Sequence, residues 1–236
     1  MSRREPSHEA PATDGKPAGA RVAAFFDMDR TLLRCNSGTR WIQYLRRRGE
    51  IDAWKALRAA SWLARYKLSL IDMDAVAEIA AADMTGVPER EVAEKTGRWM
   101  HEEILDEVAP RALTALARHR ADGHVVAILS SSTPYTTEPL ARYLGIEHVL
   151  CTRLHVDAGG RLAGTHVRPA CFGAGKVHWA ERFAAEHDVD LDASWFYTDS
   201  YSDLPMLERV GVRKIVNPDA RLARHAKKHG WDIEHW

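Results

Sequence analysis

The chain reads VAAFFDMDRT over residues 22–31. The run at 22–26 is apolar throughout, which is typical of a strand that is covered on both faces of a parallel sheet. Two carboxylates, Asp27 and Asp29, follow directly where the run ends. Because open α/β sheets bind ligands beyond the carboxyl ends of their strands, this stretch predicts both the fold class and the position of a site.

The rest of the chain supports an α/β fold. Further apolar runs at 125–129, 148–151, 194–198 and 212–216 alternate with helical patterns at 111–120, 139–144, 175–187 and 204–210, and a hairpin is predicted over 154–165. This alternation predicts a Rossmann-like parallel sheet. Residues 38–108 show helical spacing without a convincing strand, so they are predicted to form a helical insertion after the first strand. The predicted division is a disordered tail (1–20), an α/β core (21–37 and 109–236) and the helical insertion (38–108).

Composition excludes several classes of protein. The 236 residues carry 33 Lys and Arg against 33 Asp and Glu, which argues against a broadly basic nucleic-acid binder, and 45% hydrophobic residues argue against a disordered chain. No stretch reaches the ~18 consecutive apolar residues of a membrane span. The three cysteines, Cys35, Cys151 and Cys171, form no C-x-x-C pair, and no leader-like apolar run is visible. We therefore expect a cytoplasmic protein that binds no nucleic acid.

A second acidic pair follows another predicted strand. Residues 197–203 read YTDSYSD, with Asp199 and Asp203 just beyond the apolar run at 194–198. Four carboxylates gathered at one sheet edge repel each other and raise each other's pKa. A hard cation removes that penalty, and Mg²⁺ prefers carboxylates, water and phosphate oxygens. The two pairs therefore predict Mg²⁺ together with an anionic ligand.

Two further positions suit the anion. Ser130 follows the strand at 125–129 and can donate to a phosphate oxygen, although its neighbours Ser131 and Ser132 are alternatives. Lys176 stands in the sequence GAGK at a predicted helix start, where a cation and unpaired backbone N–H groups come together.

In this order the residues resemble the four motifs of the haloacid dehalogenase (HAD) superfamily. The motif residues are Asp27-Met28-Asp29-Arg30-Thr31, Ser130, Lys176 and the segment from Asp199 to Asp203. The resemblance covers roughly residues 21–234. The helical insertion resembles the cap of subfamily IB, which includes phosphoserine phosphatase.

The resemblance implies a phosphatase (EC 3.1.3.-). Asp27 would be the nucleophile that forms an aspartyl-phosphate, and Asp29 the general acid and base. Mg²⁺ would be bound by Asp27, the backbone carbonyl of Asp29 and Asp199, with Asp203 supporting it directly or through water. Thr31 would orient the loop, while Ser130 (or Ser131) and Lys176 would bind the phosphoryl oxygens. The implied substrate is a small phosphorylated metabolite or a lipid-derived phosphate.

Other functions remain open at this stage. A phosphotransferase or phosphomutase uses the same chemistry, and a phospho-accepting receiver module also gathers aspartates, a hydroxyl and a lysine around Mg²⁺. The helical insertion and Asp29 disfavour the receiver, because a second carboxylate speeds hydrolysis of the acyl phosphate. A catalytically silent binding protein is disfavoured because every expected catalytic residue is present.

The substrate is not readable from the sequence. Phosphoserine phosphatases usually carry a small residue where Arg30 stands, and an acid shortly after the motif that is missing from residues 32–38. Residues 40–67 combine eight Lys and Arg residues with Trp41, Trp54 and Trp62. We favour a solvated basic face there over contact with a membrane surface. The sequence leaves the oligomeric state open.

Overall fold

The computed structural model describes residues 19–51 and 73–236. In these ranges the strands are β1 (Ala23–Phe26), β2 (Val125–Ser130), β3 (His148–Cys151), β4 (Leu154–Val156), β5 (Leu162–His166), β6 (Trp195–Thr198), β7 (Val212–Val216) and β8 (Ile233–Glu234). The α-helices are α1 (Ser37–Arg47), α2 (Met73–Ala82), α3 (Glu89–Trp99), α4 (Pro110–Ala121), α5 (Pro134–Leu144), α6 (Ala174–His187), α7 (Leu204–Arg209) and α8 (Ala220–His229). No helix within the described ranges combines the length and apolar character needed to cross a membrane.

A parallel sheet of six strands forms the core, in the order β3-β2-β1-β6-β7-β8. The predicted α/β fold class is confirmed. β1 lies in the middle, where Phe26 pairs with Ile128 of β2 and with Tyr197 of β6. Phe25 and Phe26 are fully buried in two different hydrophobic clusters, one on each face of the sheet. Burial on both faces explains why this strand reads as an uninterrupted apolar run.

The chain leaves the core after β1 and returns before α4 through two segments that lie side by side. Leu33 and Val108 form an antiparallel bridge, and the N–H of Ala109 donates to the carbonyl of Leu32 over 2.9 Å. Between these segments the described residues are helical, in α1, α2, α3 and the irregular turns from Met100 to Glu107. The insertion is thus held above the carboxyl edge of β1. Its exact domain bounds stay a prediction.

A second attachment joins the insertion to the β4–β5 hairpin. Asp74 of α2 accepts hydrogen bonds from Nε2 of His166 over 3.0 Å and from the backbone N–H of Ala170 over 2.7 Å. Ala170 lies a few residues before α6, so this contact links the insertion to the loop that leads into the helix carrying Lys176.

Two elements differ from the sequence-based expectation. The predicted helix at 139–144 begins at Pro134, so Pro139 lies inside α5. Pro134 takes the first helical position, where a missing N–H costs nothing, and the hydroxyl of Thr137 donates to the carbonyl of Thr133 to support the first turn. β8 was not predicted, because two residues at a sheet edge carry no periodic signal. The predicted tail up to residue 18 and the basic segment from 52 to 67 lie outside the described residues.

Candidate active site

The predicted site residues meet at the carboxyl edge of the central strands. Asp27 follows β1, Ser130 ends β2 and Asp199 follows β6, and these three strands are neighbours in the sheet. A hollow of about 60 Å³ lies there. The described residues that line it are Asp27, Asp29, Arg30, Asn36, Ser130, Ser131, Lys176, Asp199, Ser200, Asp203 and Asp219. Thr31 is the predicted site residue that does not line it.

The loop after β1 turns sharply to present both of its aspartates. The N–H of Asp27 still donates to the carbonyl of Tyr197 on β6, over 2.9 Å. Arg30 then adopts a left-handed backbone conformation with φ of 54°, which is uncommon for a residue with a Cβ. Its carbonyl accepts a hydrogen bond from Nδ2 of Asn217 over 2.9 Å, and its N–H donates to the carbonyl of Cys35 over 3.0 Å. These contacts hold the turn that separates Asp27 from the insertion.

Lys176 is a buried cation between two carboxylates. Its side chain is 2% exposed, and Nζ donates to Oδ1 of Asp27 over 2.8 Å and to Oδ2 of Asp203 over 2.7 Å. The hydroxyl of Thr198 donates to the same Asp203 oxygen over 2.6 Å. The residue before the lysine has to be Gly175, because a Cβ there would stand 1.9 Å from the carbonyl oxygen of Ala170. The absence of that Cβ lets the start of α6 approach the loop before it.

Burial and mutual repulsion perturb the carboxylates of the hollow. Burial raises the pKa of Asp27 to about 7, Lys176 partly opposes this, and the charge of Asp203 adds to it. Burial raises the pKa of Asp199 to about 8, with further repulsion from Asp27 and Asp203. Among the described residues that line the hollow, five are aspartates and two, Lys176 and Arg30, are cationic, so negative groups are in excess. Added positive charge would lower both pKa values, so the donor set suits a hard cation.

Asp29 is oriented by the first helix of the insertion. Its Oδ1 accepts from the backbone N–H of Ser37 over 2.9 Å, and its Oδ2 accepts from Nδ2 of Asn36 over 3.0 Å. These two residues form the N-terminal cap and the first turn of α1, where exposed N–H groups favour a negative charge.

The three serines after β2 divide between two spaces. Ser130 is buried and lines the small hollow, and its Oγ accepts from the N–H of Ser132 over 3.3 Å. Ser131 lines the hollow and also a larger adjoining cavity, while Ser132 lines only the larger cavity. Ser130 and Ser131 therefore both line the hollow, and the anion-binding role expected of them from the sequence stays a prediction.

Thr31 takes a different position from the other predicted residues. Its side chain is fully buried, and Oγ1 has no hydrogen-bond partner among the residues that the structure describes. Its predicted role in orienting the loop stays a prediction.

Sequence reasoning missed three residues that organise the site, Asp219, Asn36 and Asn217. Asp219 caps α8, since its Oδ1 accepts from the N–H groups of Arg221 and Leu222. Its Oδ2 accepts from the N–H of Tyr201 over 2.8 Å, and its own N–H donates to the carbonyl of Asp199 over 2.8 Å. An aspartate directly before a helical pattern is a recognisable capping signal, but its second contact with the distant loop leaves no local trace.

A third, separate cavity of about 630 Å³ lies away from both of these spaces, against the edge strand β3. None of the described residues that line it is a predicted site residue. The two predicted acidic pairs, Asp27 with Asp29 and Asp199 with Asp203, lie instead in the smaller hollow.

Known proteins that are similar to this chain include hydrolases of one family. The family model for haloacid dehalogenase-like hydrolases matches residues 24–208. The chain is 29% identical to a histidinol-phosphatase of Neisseria meningitidis, over 89% of this chain and 96% of the relative. It is 31% identical to a phosphoserine phosphatase of Mycobacterium tuberculosis, over 92% of this chain and 71% of the relative.

A solved structure shows the same architecture. It belongs to a protein of unknown function from Bordetella pertussis, with a TM-score of 0.79 and 27% identity, and the match covers 91% of this chain and 98% of that one. With the family model, the phosphatase relatives and the parallel-sheet fold in agreement, the chain belongs to the haloacid dehalogenase-like hydrolases and is a phosphatase of that family.

Proposed function

We propose that this phosphatase is a Mg²⁺-dependent phosphomonoester hydrolase that works through an aspartyl-phosphate on Asp27 and acts on a small phosphorylated substrate. The observation that carries the proposal is the hollow itself. Asp27 lies at its base, bound on one oxygen by Lys176, and shares it with Asp29, Asp199 and the two serines.

The two aspartates of the first motif have different roles: Asp27 is the nucleophile, and Asp29 is the general acid and base. A carboxylate oxygen of Asp27 attacks phosphorus, a new O–P bond forms, and the ester P–O bond breaks. Asp29 gives a proton to the departing alkoxide. In the second step water attacks the phosphorus of the acyl phosphate, and Asp29 takes a proton from that water. Phosphate departs, and the side chain of Asp27 is again a free carboxylate. The contacts of Asp29 with Ser37 and Asn36 hold its side chain in one orientation for both transfers.

Mg²⁺ would be held by Asp27, the backbone carbonyl of Asp29 and Asp199. When bound, it supplies positive charge that offsets repulsion between the carboxylates and the phosphoryl group. Oδ2 of Asp203 already accepts from Lys176 and Thr198, which favours support through water for this residue. Among the described residues no three His, Cys, Asp or Glu side chains form a metal site by themselves. A shell completed by a carbonyl and water agrees with this, since Mg²⁺ usually keeps several waters.

Ser130, Ser131 and Lys176 would bind the phosphoryl oxygens. Ser130 ends β2 and Lys176 lies in the first turn of α6, yet both line the hollow beside Asp27. A cation and hydroxyl donors already in place stabilise charge that develops during transfer without reorganisation.

The named activities of the relatives give the first esters to assay, histidinol phosphate and phosphoserine. Assays with acceptor alcohols would reveal transfer to a group other than water, as a phosphotransferase or phosphomutase requires. We favour hydrolysis over a receiver-like role because Asp29 lines the same hollow as Asp27. We also propose the cytoplasm as the location, which is supported by the free thiols of Cys35, Cys151 and Cys171.

Metal dependence gives a direct test. Chelation by EDTA should silence hydrolysis and Mg²⁺ should restore it. Asp199→Asn should raise the Mg²⁺ concentration for half-maximal activity by roughly 10- to 100-fold, because it removes a carboxylate proposed to hold the ion. The measurement is a Mg²⁺ titration of the initial rate, with Asp232→Asn, an exposed carboxylate outside the hollow, as the matched control. Full activity in chelator would contradict the metal role.

Thermal unfolding gives a second test that does not rely on turnover. The pKa values of Asp27 and Asp199 are raised from 3.8 to about 7 and about 8 in the fold. The folded chain then retains protons that the unfolded chain releases, so the stability from these groups is fully present below about pH 4 and is lost as the pH rises through 7 and 8. Mg²⁺ should therefore raise the melting temperature more at pH 8 than at pH 5. An equal shift at both pH values would contradict binding at these carboxylates.

A further inference from the structure

A second cavity of about 360 Å³ adjoins the catalytic hollow. It lies between α1, α3 and the loop that leads from β2 into α5. Asp29, Asn36 and Ser131 line both spaces. Because Asp29 is the proposed proton donor to the leaving oxygen, the alcohol released from a phosphoryl group in the hollow belongs in this second cavity.

The lining of this cavity has an apolar and largely aromatic part, formed by Trp41, Met84, Val92, Trp99 and Tyr135. The other described lining residues, apart from Asp29, are Gly38 and residues with uncharged polar side chains. Among the described lining residues there is no Lys, Arg or His, and Asp29 is the only carboxylate. An amino-acid leaving group would place a carboxylate and an ammonium against this wall, and burying charges without partners is costly.

The aromatic wall is already in place before a ligand arrives. Trp41 stacks on Tyr44 with ring centroids 5.5 Å apart and meets Trp99 edge-on at 4.9 Å. Trp99 is fully buried, and the hydroxyl of Tyr135 donates to Oε1 of Glu89 over 3.2 Å. A preformed wall loses little conformational freedom on binding, so its apolar surface contributes to affinity.

The sizes of the two spaces suit different parts of an ester. The hollow of about 60 Å³ is small, as a site for a phosphoryl group requires. The adjoining cavity of about 360 Å³ is about six times larger and has room for a leaving group with a ring.

We propose that the substrate is the phosphate monoester of an alcohol with an uncharged aromatic or similarly apolar body, and that this body packs against Trp41, whose ring is supported from within the core by the buried Trp99. The inference rests on the proposed function, because it takes the hollow as the phosphoryl site. Trp41, Val92 and Tyr135 then determine which leaving groups are accepted.

The test compares 2-phenylethyl phosphate, ethyl phosphate and L-phosphoserine, with acetyl phosphate as a small activated substrate. The two alkyl esters release similar primary alcohols, so the difference between their kcat/KM values measures the contribution of the phenyl ring. The expected kcat/KM for 2-phenylethyl phosphate exceeds that for ethyl phosphate by about 10- to 100-fold, and it also exceeds that for L-phosphoserine. Equal or faster hydrolysis of L-phosphoserine would overturn the inference and leave the proposed function standing. Failure to hydrolyse any of the four compounds would contradict the proposed function itself.

Variants of the wall locate the effect. Trp41→Ala should bring the ratio of kcat/KM for the two alkyl esters close to one, mainly through a higher KM for the phenyl ester. Tyr143→Ala, which truncates an aromatic side chain that is 55% exposed on α5 and does not line the cavity, should leave the ratio unchanged.

A second variant guards against loss of folding. Val92→Asp places a charge in the half-buried wall and should reduce kcat/KM for 2-phenylethyl phosphate by about 10-fold or more, while ethyl phosphate is affected less. Melting curves identify which variants are folded. A folded Trp41→Ala or Val92→Asp protein that retains the original ratio would overturn the assignment of this wall.

Discussion

Asp27→Asn is expected to abolish hydrolysis of every phosphate ester, with kcat reduced on the order of 10⁴-fold or more. A neutral amide does not attack phosphorus as a carboxylate does. The fold should survive, because the amide oxygen can still accept the hydrogen bond that Lys176 donates to Oδ1 over 2.8 Å. The substitution also removes a buried charge whose pKa is raised to about 7 by burial, so the melting temperature at pH 8 should not fall.

A trapping experiment separates loss of the nucleophile from general damage. Rapid quenching in acid during turnover should yield a labelled phosphoenzyme with the natural chain and none with Asp27→Asn. Asp29→Asn is the matched control, because it neutralises the neighbouring carboxylate and leaves Asp27 in place. With acetyl phosphate, which needs little help from an acid, this variant should form the phosphoenzyme and break it down slowly. A label that persists in Asp27→Asn would show that another residue is the nucleophile.

The second large effect is expected for Lys176→Met. The ammonium group is 2% exposed and donates to both Asp27 and Asp203, so its removal leaves two buried carboxylates facing each other. Breaking a buried ion pair from one side costs about 3–5 kcal/mol, and the loss of a donor to the phosphoryl group lowers kcat by roughly 10²- to 10³-fold. The loss of stability should be larger at pH 8 than at pH 5, where the carboxylates can take up protons.

Two further variants serve as controls for Lys176→Met. Lys228→Met removes an exposed lysine from α8 and should change neither kcat nor the melting temperature appreciably. The double variant Lys176→Met with Asp203→Asn should recover part of the lost stability without recovering activity, because it removes one of the two unpaired charges. Chemical denaturation and initial rates measure the two effects. Unchanged rates in a folded Lys176→Met protein would exclude Lys176 from phosphoryl transfer.

The central part of the fold could be predicted because its signals are local. A strand buried on both faces must be apolar at every position, and the run at 22–26 meets this rule. The proximity of the acidic loops after β1 and β6 could be predicted because the carboxyl ends of parallel strands lie at the same edge of a sheet. Lys176 was expected to bind phosphate, and its contacts with Asp27 and Asp203 emerge only from the packing of α6.

Features that join distant segments left no readable signal. The start of α5 at Pro134 was missed because Pro139 is also compatible with a helix start, and the choice depends on the contact of Thr137 with Thr133. The second contact of Asp219 depends on where β7 and α8 lie beside the loop at 199–203. The aromatic cavity brings Trp41 together with residues more than 40 positions away in the sequence, such as Tyr135. Hydrophobic periodicity within one helix does not predict contacts between such distant residues.

In the mechanism that we propose, one helix would serve both recognition and proton transfer. The start of α1 fixes the Asp29 carboxylate through Ser37 and Asn36, and one turn later the same helix carries Trp41. A leaving group too bulky for the space beside the indole would have to displace the helix that orients Asp29. Discrimination between esters then shows itself as slow bond cleavage as well as weak binding, so an ill-fitting ester that is bound at saturation would still react slowly.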